Sequence, residues 1–460
     1  MLFTGAIGAE PGIVNIMSEE IELKFIVHPD SVDSLRKQLT EWQTEYSQTE
    51  HLQAVRLTNI YFETADNYLR QNGIGLRIRG ENERYEMTAK TAGKVVGGLH
   101  QHPEYNVALE KAELDLSLLP ADIWPENCDL TALQHSLKAL FSTDFTRERW
   151  VITYHQSIIE IAFDRGEIRA GEQSEPLCEL EMELKVGLTS HLLDLAKEIA
   201  DFGGLRQGSL SKAARGYHLA RGNPPRECRP VTVLAVEPKA NIDQAINTAL
   251  EYALAHWQYH EELWVRGDQS AREALPQASA LIREMLVLVG GLVSRKITTL
   301  FRAALTSLDT KIEGPGDAET LCYSVDYLQS KLVLTSWLIN AGWRDYMDNK
   351  DRIRLQGSYK RFADIMLSRS AADLRSTFNN ALSEVQYVQQ LPRLHRNISA
   401  FYLLSGAYPT EQVEAYIGCW RALIHAIEQF TVDHTPPPYL EACRKQARDQ
   451  PPFWLHSASN

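Results

Sequence analysis

The chain has 460 residues, 44% of them hydrophobic and 23% charged, and a formal net charge of −13. That length suggests two or three domains of ordinary soluble composition, and the acidic balance argues against general nucleic-acid binding. The longest strongly apolar run, residues 285–293, is far shorter than the ~20 residues a membrane-spanning helix needs, so no membrane partner is expected. The acidic excess is local: 24 Lys+Arg stand against 35 Asp+Glu before residue 237, and 23 against 25 from there on.

Residues 1–16 hold no Lys or Arg and no long apolar block, which makes a poor signal peptide, and Met17 stands beside Met1 as an alternative start. The expected compartment is cytoplasmic. Six cysteines without a CxxC pair give no metal-site or disulfide signal. Up to about residue 222, apolar and polar residues alternate with period two. Turn residues punctuate them at Gln71-Asn72-Gly73 and Thr91-Ala92-Gly93, a pattern of antiparallel strands. Residues 31–48 and 189–202 read instead as helices, and the proline-rich stretch 222–230 as a linker. From about 239 to 430 the period turns helical. Ile242, Ala245, Ile246, Ala249 and Leu250 recur on one face, as do Leu328, Leu332 and Trp337, and then Val413, Tyr416, Ile417 and Trp420. This predicts an α-helical bundle, split by a polar loop at 313–320.

The strands place their charges on one face. Glu20, Glu22 and Lys24 share a face; so do Arg77 and Arg79, Glu86 and Lys90, Arg147 and Arg149, Glu160 and Asp164, and Glu179, Glu181, Glu183 and Lys185. One such strand is most simply the solvated side of a sheet. Six of them, some mainly acidic and others basic, align like charges that need compensation. Carboxylates two residues apart suit a hard cation such as Mg²⁺ or Mn²⁺, while rows of Arg and Lys suit phosphate oxygens. Hydrolysis of a phosphoanhydride rests mainly on positioning and charge neutralisation, so both ingredients of that chemistry are present. No nucleophilic triad, P-loop or Rossmann fingerprint is recognisable.

EIELK at 20–24 matches the ExExK signature of the CYTH superfamily, the triphosphate tunnel metalloenzymes. NIYFET at 59–64, LRIR at 76–79, YEMTAK at 85–90, ELEMEL at 179–184 and SKAARGY at 211–217 follow in the family's order. The resemblance implies an α+β chain: an eight-stranded antiparallel barrel enclosing a polar tunnel, then a helical bundle. Residue by residue it implies that Glu20 and Glu22 bind or orient metal and that Lys24 contacts phosphate. Arg77, Arg79, Lys90, Arg147 and Arg149 hold the polyphosphate, and Lys212 and Arg215 close its site. Glu181 and Glu183 are implied as principal metal ligands, with Asp164 and Glu104 supporting metal or water. Glu20, Glu22, Lys24 and Asp164 form the implied catalytic group.

The helical half resembles a CHAD domain more weakly. Arg283, Arg295, Arg393, His395 and Arg396 remain of the expected basic ladder, and His260 reads as an ordinary amphipathic-helix histidine. Only weak polyphosphate contact is expected there. The expected organisation is an extension over 1–17, a tunnel domain over 18–222, a linker over 223–236 and a helical domain over 237–460. This order resembles bacterial inorganic triphosphatases and implies tripolyphosphate as the small-molecule substrate. Thiamine triphosphatase, class IV-type adenylate cyclase and a non-catalytic polyphosphate binder stay open as alternatives. Because every charged strand face precedes residue 222, the first half is expected to suffice for catalysis.

Overall fold

The computed structural model describes residues 14–45, 49–237, 239–293, 295–344, 347–433 and 437–455. By its contacts the chain forms two compact units. The first comprises the N-terminal half to Glu227 together with Glu319–Ser336, and the second Cys228–Ala318 and Trp337 onward.

Ten strands build the first unit: β1 (Val14–Val27), β2 (Thr49–Glu63), β3 (Gly75–Glu81), β4 (Arg84–Lys90), β5 (Lys94–Val96), β6 (Leu99–Leu109), β7 (Lys138–Tyr154), β8 (Ser157–Ala170), β9 (Gln173–Val186) and β10 (Leu205–Gln207). The hydrogen-bonded order is β10-β1-β9-β8-β7-β2-β3-β4-β6-β5, and β1 also pairs with β6. That last pairing, with Glu22 opposite His100 and Glu20 opposite His102, closes eight antiparallel strands into a barrel. β1 begins at Val14 and pairs there with Val107, so part of the expected extension belongs to the barrel.

Most of these strands are covered on both faces, whereas β2 leaves Arg56, Thr58 and Ile60 exposed. Leu23, Phe25, Leu76, Met87, Leu180 and Met182 lie on one face, and the charged residues lie on the other. Two helices match those expected, Val32–Glu45 and Thr189–Ala200. A third, Lys212–Ala220, falls in a stretch where the sequence pattern predicted strands. Ser211 caps it by accepting from the Ala214 N–H, and Lys212, Arg215, Gly216 and Tyr217 are all buried. Tyr217 and Leu219 join Leu57, Tyr61, Phe141, Phe145 and Leu177 in one apolar cluster. Glu63 ties the helix to β2. Its carboxylate accepts from the Tyr217 hydroxyl at 3.1 Å and from the backbone N–H groups of Thr64, Leu69 and Arg70 at 2.8–3.0 Å.

The second unit is helical, with Ile242–Val265, Leu275–Leu288, Arg295–Glu313, Tyr359–Thr377, Leu391–Leu404 and Thr410–Asp433 as its longer members. The predicted stripes Ile242, Ala245, Ile246, Ala249 and Leu250, and Val413, Tyr416, Ile417 and Trp420, are buried. A capping box at Asn241 and Gln244 opens the first long helix. Leu234 is buried and its N–H bonds the Tyr402 carbonyl, so the end of the expected linker is already packed.

A Cβ on Gly216 would overlap the Phe141 ring, which stacks on Tyr61 at 4.4 Å and meets the edge of Tyr217 at 5.2 Å. The Gly216→Ala variant gains about 1 kcal/mol of helix propensity. It loses about 1–3 kcal/mol or more to overpacking, because a ring held on two sides cannot withdraw. A net loss in urea midpoint at unchanged m-value is expected, partly restored by adding Phe141→Leu.

Candidate active site

Strand register arranges the charges in rows across neighbouring strands. Lys24 pairs with Glu181 and Glu22 with Glu183; Glu160 also pairs with Glu183, and Asp164 with Glu179. Arg147 lies opposite Asp164, Lys90 opposite Glu104, and Arg79 opposite both Glu86 and Asn59. These side chains are not a solvated face: Lys24 is 1% exposed, and Asp164 and Glu179 are 0% exposed. The charged face lines the interior, and the solvent-facing reading of the alternation is excluded.

Toward Lys212 and Arg215 the charges form a closed network. Arg147 donates two bonds of 2.7 Å to Asp164 and a third of 2.7 Å to Glu181. Lys212 lies 2.8 Å from Asp164, 3.0 Å from Glu179 and 2.7 Å from Glu181. Lys24 is ion-paired with Glu181 and lies 3.3 Å from Glu179. Arg215 spans Glu175 at 2.6 Å and Glu179 at 2.5 Å. Burial alone would push the Glu179 carboxyl up, but Lys212, Lys24 and Arg215 hold it at about 2. Lys212, Lys24 and Arg147 likewise overcome burial and keep Glu181 well below the ordinary carboxylate range.

Elsewhere around the barrel the pairing is looser. Arg77 approaches Glu104 at 3.6 Å and the Tyr61 hydroxyl at 3.5 Å, and Arg149 approaches Glu160 only at 4.0 Å. The Nε atoms of Arg77 and Arg149 are buried with no hydrogen-bond partner. Burial, with Arg77 and Arg147 beside it, pulls the Arg79 guanidinium down to about 10; its Nε donates to Asn59 at 3.0 Å. The row therefore keeps buried donors unmet at Arg77 and Arg149, and a bound polyanion would satisfy them.

Glu20 and Glu22 diverge although they are two residues apart. Burial raises Glu20, but its ion pair with Lys90 and the charge of Arg77 bring it to about 2. Burial, then Glu181 and Glu20, push Glu22 up to about 8, with Lys24 and Lys90 offsetting part of this. Glu183, paired with Lys185 at 2.6 Å, is also raised, chiefly by burial. Glu22 thus sits among carboxylates that raise it, and an all-oxygen donor set fits a hard divalent cation. The six expected ligands are not gathered as one cage. Asp164 and Glu181 are engaged by Arg147 and Lys212, and among the described residues no group of three His, Cys, Asp or Glu is placed to hold a metal ion.

The sequence reading passed over His100. It lies opposite Glu22, is 3% exposed, and its Nε2 has no partner. Burial, then Lys24 and His102, bring it down to about 3, so it stands as a neutral imidazole. The HxHxE alternation from His100 to Glu104 was the available signal.

In the helical unit the surviving ladder cations face acids: Arg283 with Asp309, Arg393 with Asp373 at 3.7 Å, and His395 with Glu428 at 3.3 Å. Burial, eased only by Arg396, pushes Glu284 up to about 7. The Arg295 side chain lies outside the described residues. His260 is fully buried and satisfied, accepting from the Arg229 N–H at 3.0 Å and donating to the His256 carbonyl at 2.8 Å.

Residues 18–217 match the CYTH domain family, and residues 248–431 match the CHAD domain family. The chain carries a CYTH domain and a CHAD domain. An inorganic triphosphatase from Haemophilus influenzae is 39% identical over 206 residues, which are 45% of this chain and 56% of that relative. The match thus spans little more than half of the relative's length. Among solved structures, a Hippeastrum protein described as an adenylyl cyclase with a dominant triphosphatase activity is 20% identical over 43% of this chain and 95% of its own, with a TM-score of 0.33. The CHAD domain from Ricinus communis is 13% identical over 48% of this chain and 89% of its own, also with a TM-score of 0.33. No helix among the described residues is long and apolar enough to cross a membrane.

The CYTH tunnel carries a stability cost at Glu22. The unfolded carboxyl releases its proton near its ordinary 4.5 and the folded one near 8. Between those values the unfolded state binds fewer protons, so stability falls as pH rises through the window and levels off above it. Glu22→Gln cannot ionise. In chelator-treated protein its melting temperature should exceed the parent's by a margin that grows from pH 5 to pH 8; a margin independent of pH would refute the assignment.

Proposed function

We propose that this chain is a metal-dependent inorganic triphosphatase that hydrolyses tripolyphosphate to pyrophosphate and phosphate. The observation that carries the reading is the row of Arg77, Arg79 and Arg149 inside a closed barrel, where Arg77 and Arg149 each bury an Nε without a partner and Arg79 is pulled down by burial and its cationic neighbours. The relative named inorganic triphosphatase supports the same choice.

In this reading Arg77, Arg79, Lys90 and Arg149 hold the phosphate chain along its length. Glu20 and Glu22, with Glu183 and Glu104 nearby, would hold Mg²⁺ or Mn²⁺. A divalent cation there supplies charge neutralisation and a more acidic bound water. Glu181 and Asp164 orient Lys24, Lys212 and Arg147 toward the tunnel, because their oxygen atoms are already engaged by these cations. Three linked phosphates present charge along the whole row. Pyrophosphate is shorter and leaves buried cations unpaired, which is costly. ATP must also place a nucleoside, for which no base-reading set is evident.

Glu22→Gln separates the proposed metal role from folding, because a carboxyl raised to about 8 is close in shape and charge to an amide at neutral pH. The variant should keep its circular dichroism and melt no lower than the parent, while Mg²⁺-dependent turnover drops by about a hundredfold or more, on the scale of one lost charged contact to the reacting groups. Turnover near the parent's at saturating Mg²⁺ would remove Glu22 from the metal site.

Substrate choice is tested by comparing catalytic efficiency on tripolyphosphate, ATP, thiamine triphosphate and pyrophosphate at fixed free Mg²⁺. Tripolyphosphate is expected to lead. An equal or higher value for ATP or thiamine triphosphate would overturn the inorganic assignment, and binding without turnover of any of them would make the protein a polyphosphate binder.

A further inference from the structure

The segment Glu319–Ser336 lies inside the stretch that matches the CHAD family, yet its contacts place it in the tunnel unit. It is held along its length. Glu319 lies 2.7 Å from His28 Nε2, and the Tyr323 ring meets the His28 ring edge-on at 5.2 Å. The Tyr323 carbonyl accepts from the Gly204 N–H at 3.2 Å. Gln329 donates to the Lys197 carbonyl at 2.7 Å and to Asp201 at 2.8 Å, and Lys197 Nζ donates to the Ser336 hydroxyl at 3.3 Å. Tyr327, Leu332 and Thr335 are fully buried.

At its far end this segment reaches the turn between β5 and β6. Thr335 Oγ1 donates to the Gly97 carbonyl at 3.2 Å, and Gln207 Nε2 donates to the same oxygen. Gly97 and Gly98 hold φ of 55° and 86°, a conformation that favours glycine. A Cβ on Gly97 would overlap Thr335 Oγ1, and one on Gly98 would come within 2.8 Å of Gln207 Cγ. The turn is thus gripped from outside the barrel. On its other side the Gly98 carbonyl accepts the Lys24 N–H at 3.4 Å, and two residues on His100 stands opposite Glu22.

We propose that Glu319–Ser336 is part of the catalytic unit: Thr335 seats the Gly97–Gly98 turn, and the turn positions Lys24 and His100 for the anion. Thr335 is a positioning residue that acts through the turn. The inference rests on the triphosphatase reading for its kinetic consequence, but not for the seat. It also revises the expectation that the first half suffices, since a chain ending near residue 230 lacks this segment.

The test uses the full chain with Thr335→Val, which keeps shape and loses the hydroxyl, and Thr335→Ser, which keeps the hydroxyl. Hydrogen exchange of residues 95–101 and steady-state kinetics on tripolyphosphate are measured for each. In Thr335→Val the turn amides should exchange about tenfold faster, as expected for one lost buried hydrogen bond, and KM should rise severalfold with a smaller change in kcat. Thr335→Ser should restore both. Unchanged exchange in Thr335→Val overturns the seat, and faster exchange with unchanged KM overturns its link to the anion site. A parent protein that neither binds nor hydrolyses tripolyphosphate refutes the proposed function, while the exchange measurement still decides the seat.

Discussion

Buried charge inside the closed barrel is the constraint on which the rest of the molecule depends. Removing an ion from water costs several kcal/mol even after relaxation, so a barrel with Lys24, Arg147, Asp164, Glu179 and Glu181 in its interior survives only if each is compensated. The compensation is mutual. Asp164 and Glu181 share Arg147 and Lys212, Glu179 joins Lys212 to Arg215, and Lys24 bridges Glu179 and Glu181. Three strands and one short helix contribute to that set, together with β1. The helix can enter only because Gly216 leaves room for Phe141, so a packing detail at one glycine decides whether Lys212 and Arg215 reach their partners.

The network is uneven. Around Lys212 acids and bases nearly balance, while Arg77 and Arg149 keep buried Nε donors without partners, Arg79 lies beside two other guanidinium groups and Glu22 beside two other carboxylates. Such imbalance is destabilising in a protein at rest and is the pattern expected where a ligand completes the pairing. A polyanion satisfies the guanidinium groups and a hard cation satisfies the carboxylates, and both deficits occur within one barrel. Glu20 and Glu22 make the point sharply: two residues apart on one strand face, they differ because Lys90 pairs with the first while Glu181 crowds the second.

The boundary between the two sequence halves does not coincide with the boundary between the two packed units. Most of the helix Val325–Ile339 packs in the first unit, although it lies in the helical half of the sequence. Leu328 and Leu332 fit the helical stripe that the sequence suggested, and both are buried, but the segment that carries them packs with the first unit. Periodicity reports that a face is apolar and says nothing about what covers it.

The sequence by itself determined that the first half alternates with period two, that charges occupy one face of at least six strands, and that the second half is helical. The ordered motifs from EIELK to SKAARGY also named most of the side chains that line the tunnel. Period two tells which residues share a face, but not which face turns inward; that was decided by β1 closing onto β6, a pairing between residues ~80 apart in sequence. Local pattern placed strands where Lys212–Ala220 forms a helix, because only its packing against Tyr61 and Phe141 stabilises so short a segment. His100 was unreadable for the same reason: its partnerless nitrogen and neutral state arise from burial beside Lys24, and both are properties of the closed barrel rather than of the residues flanking it.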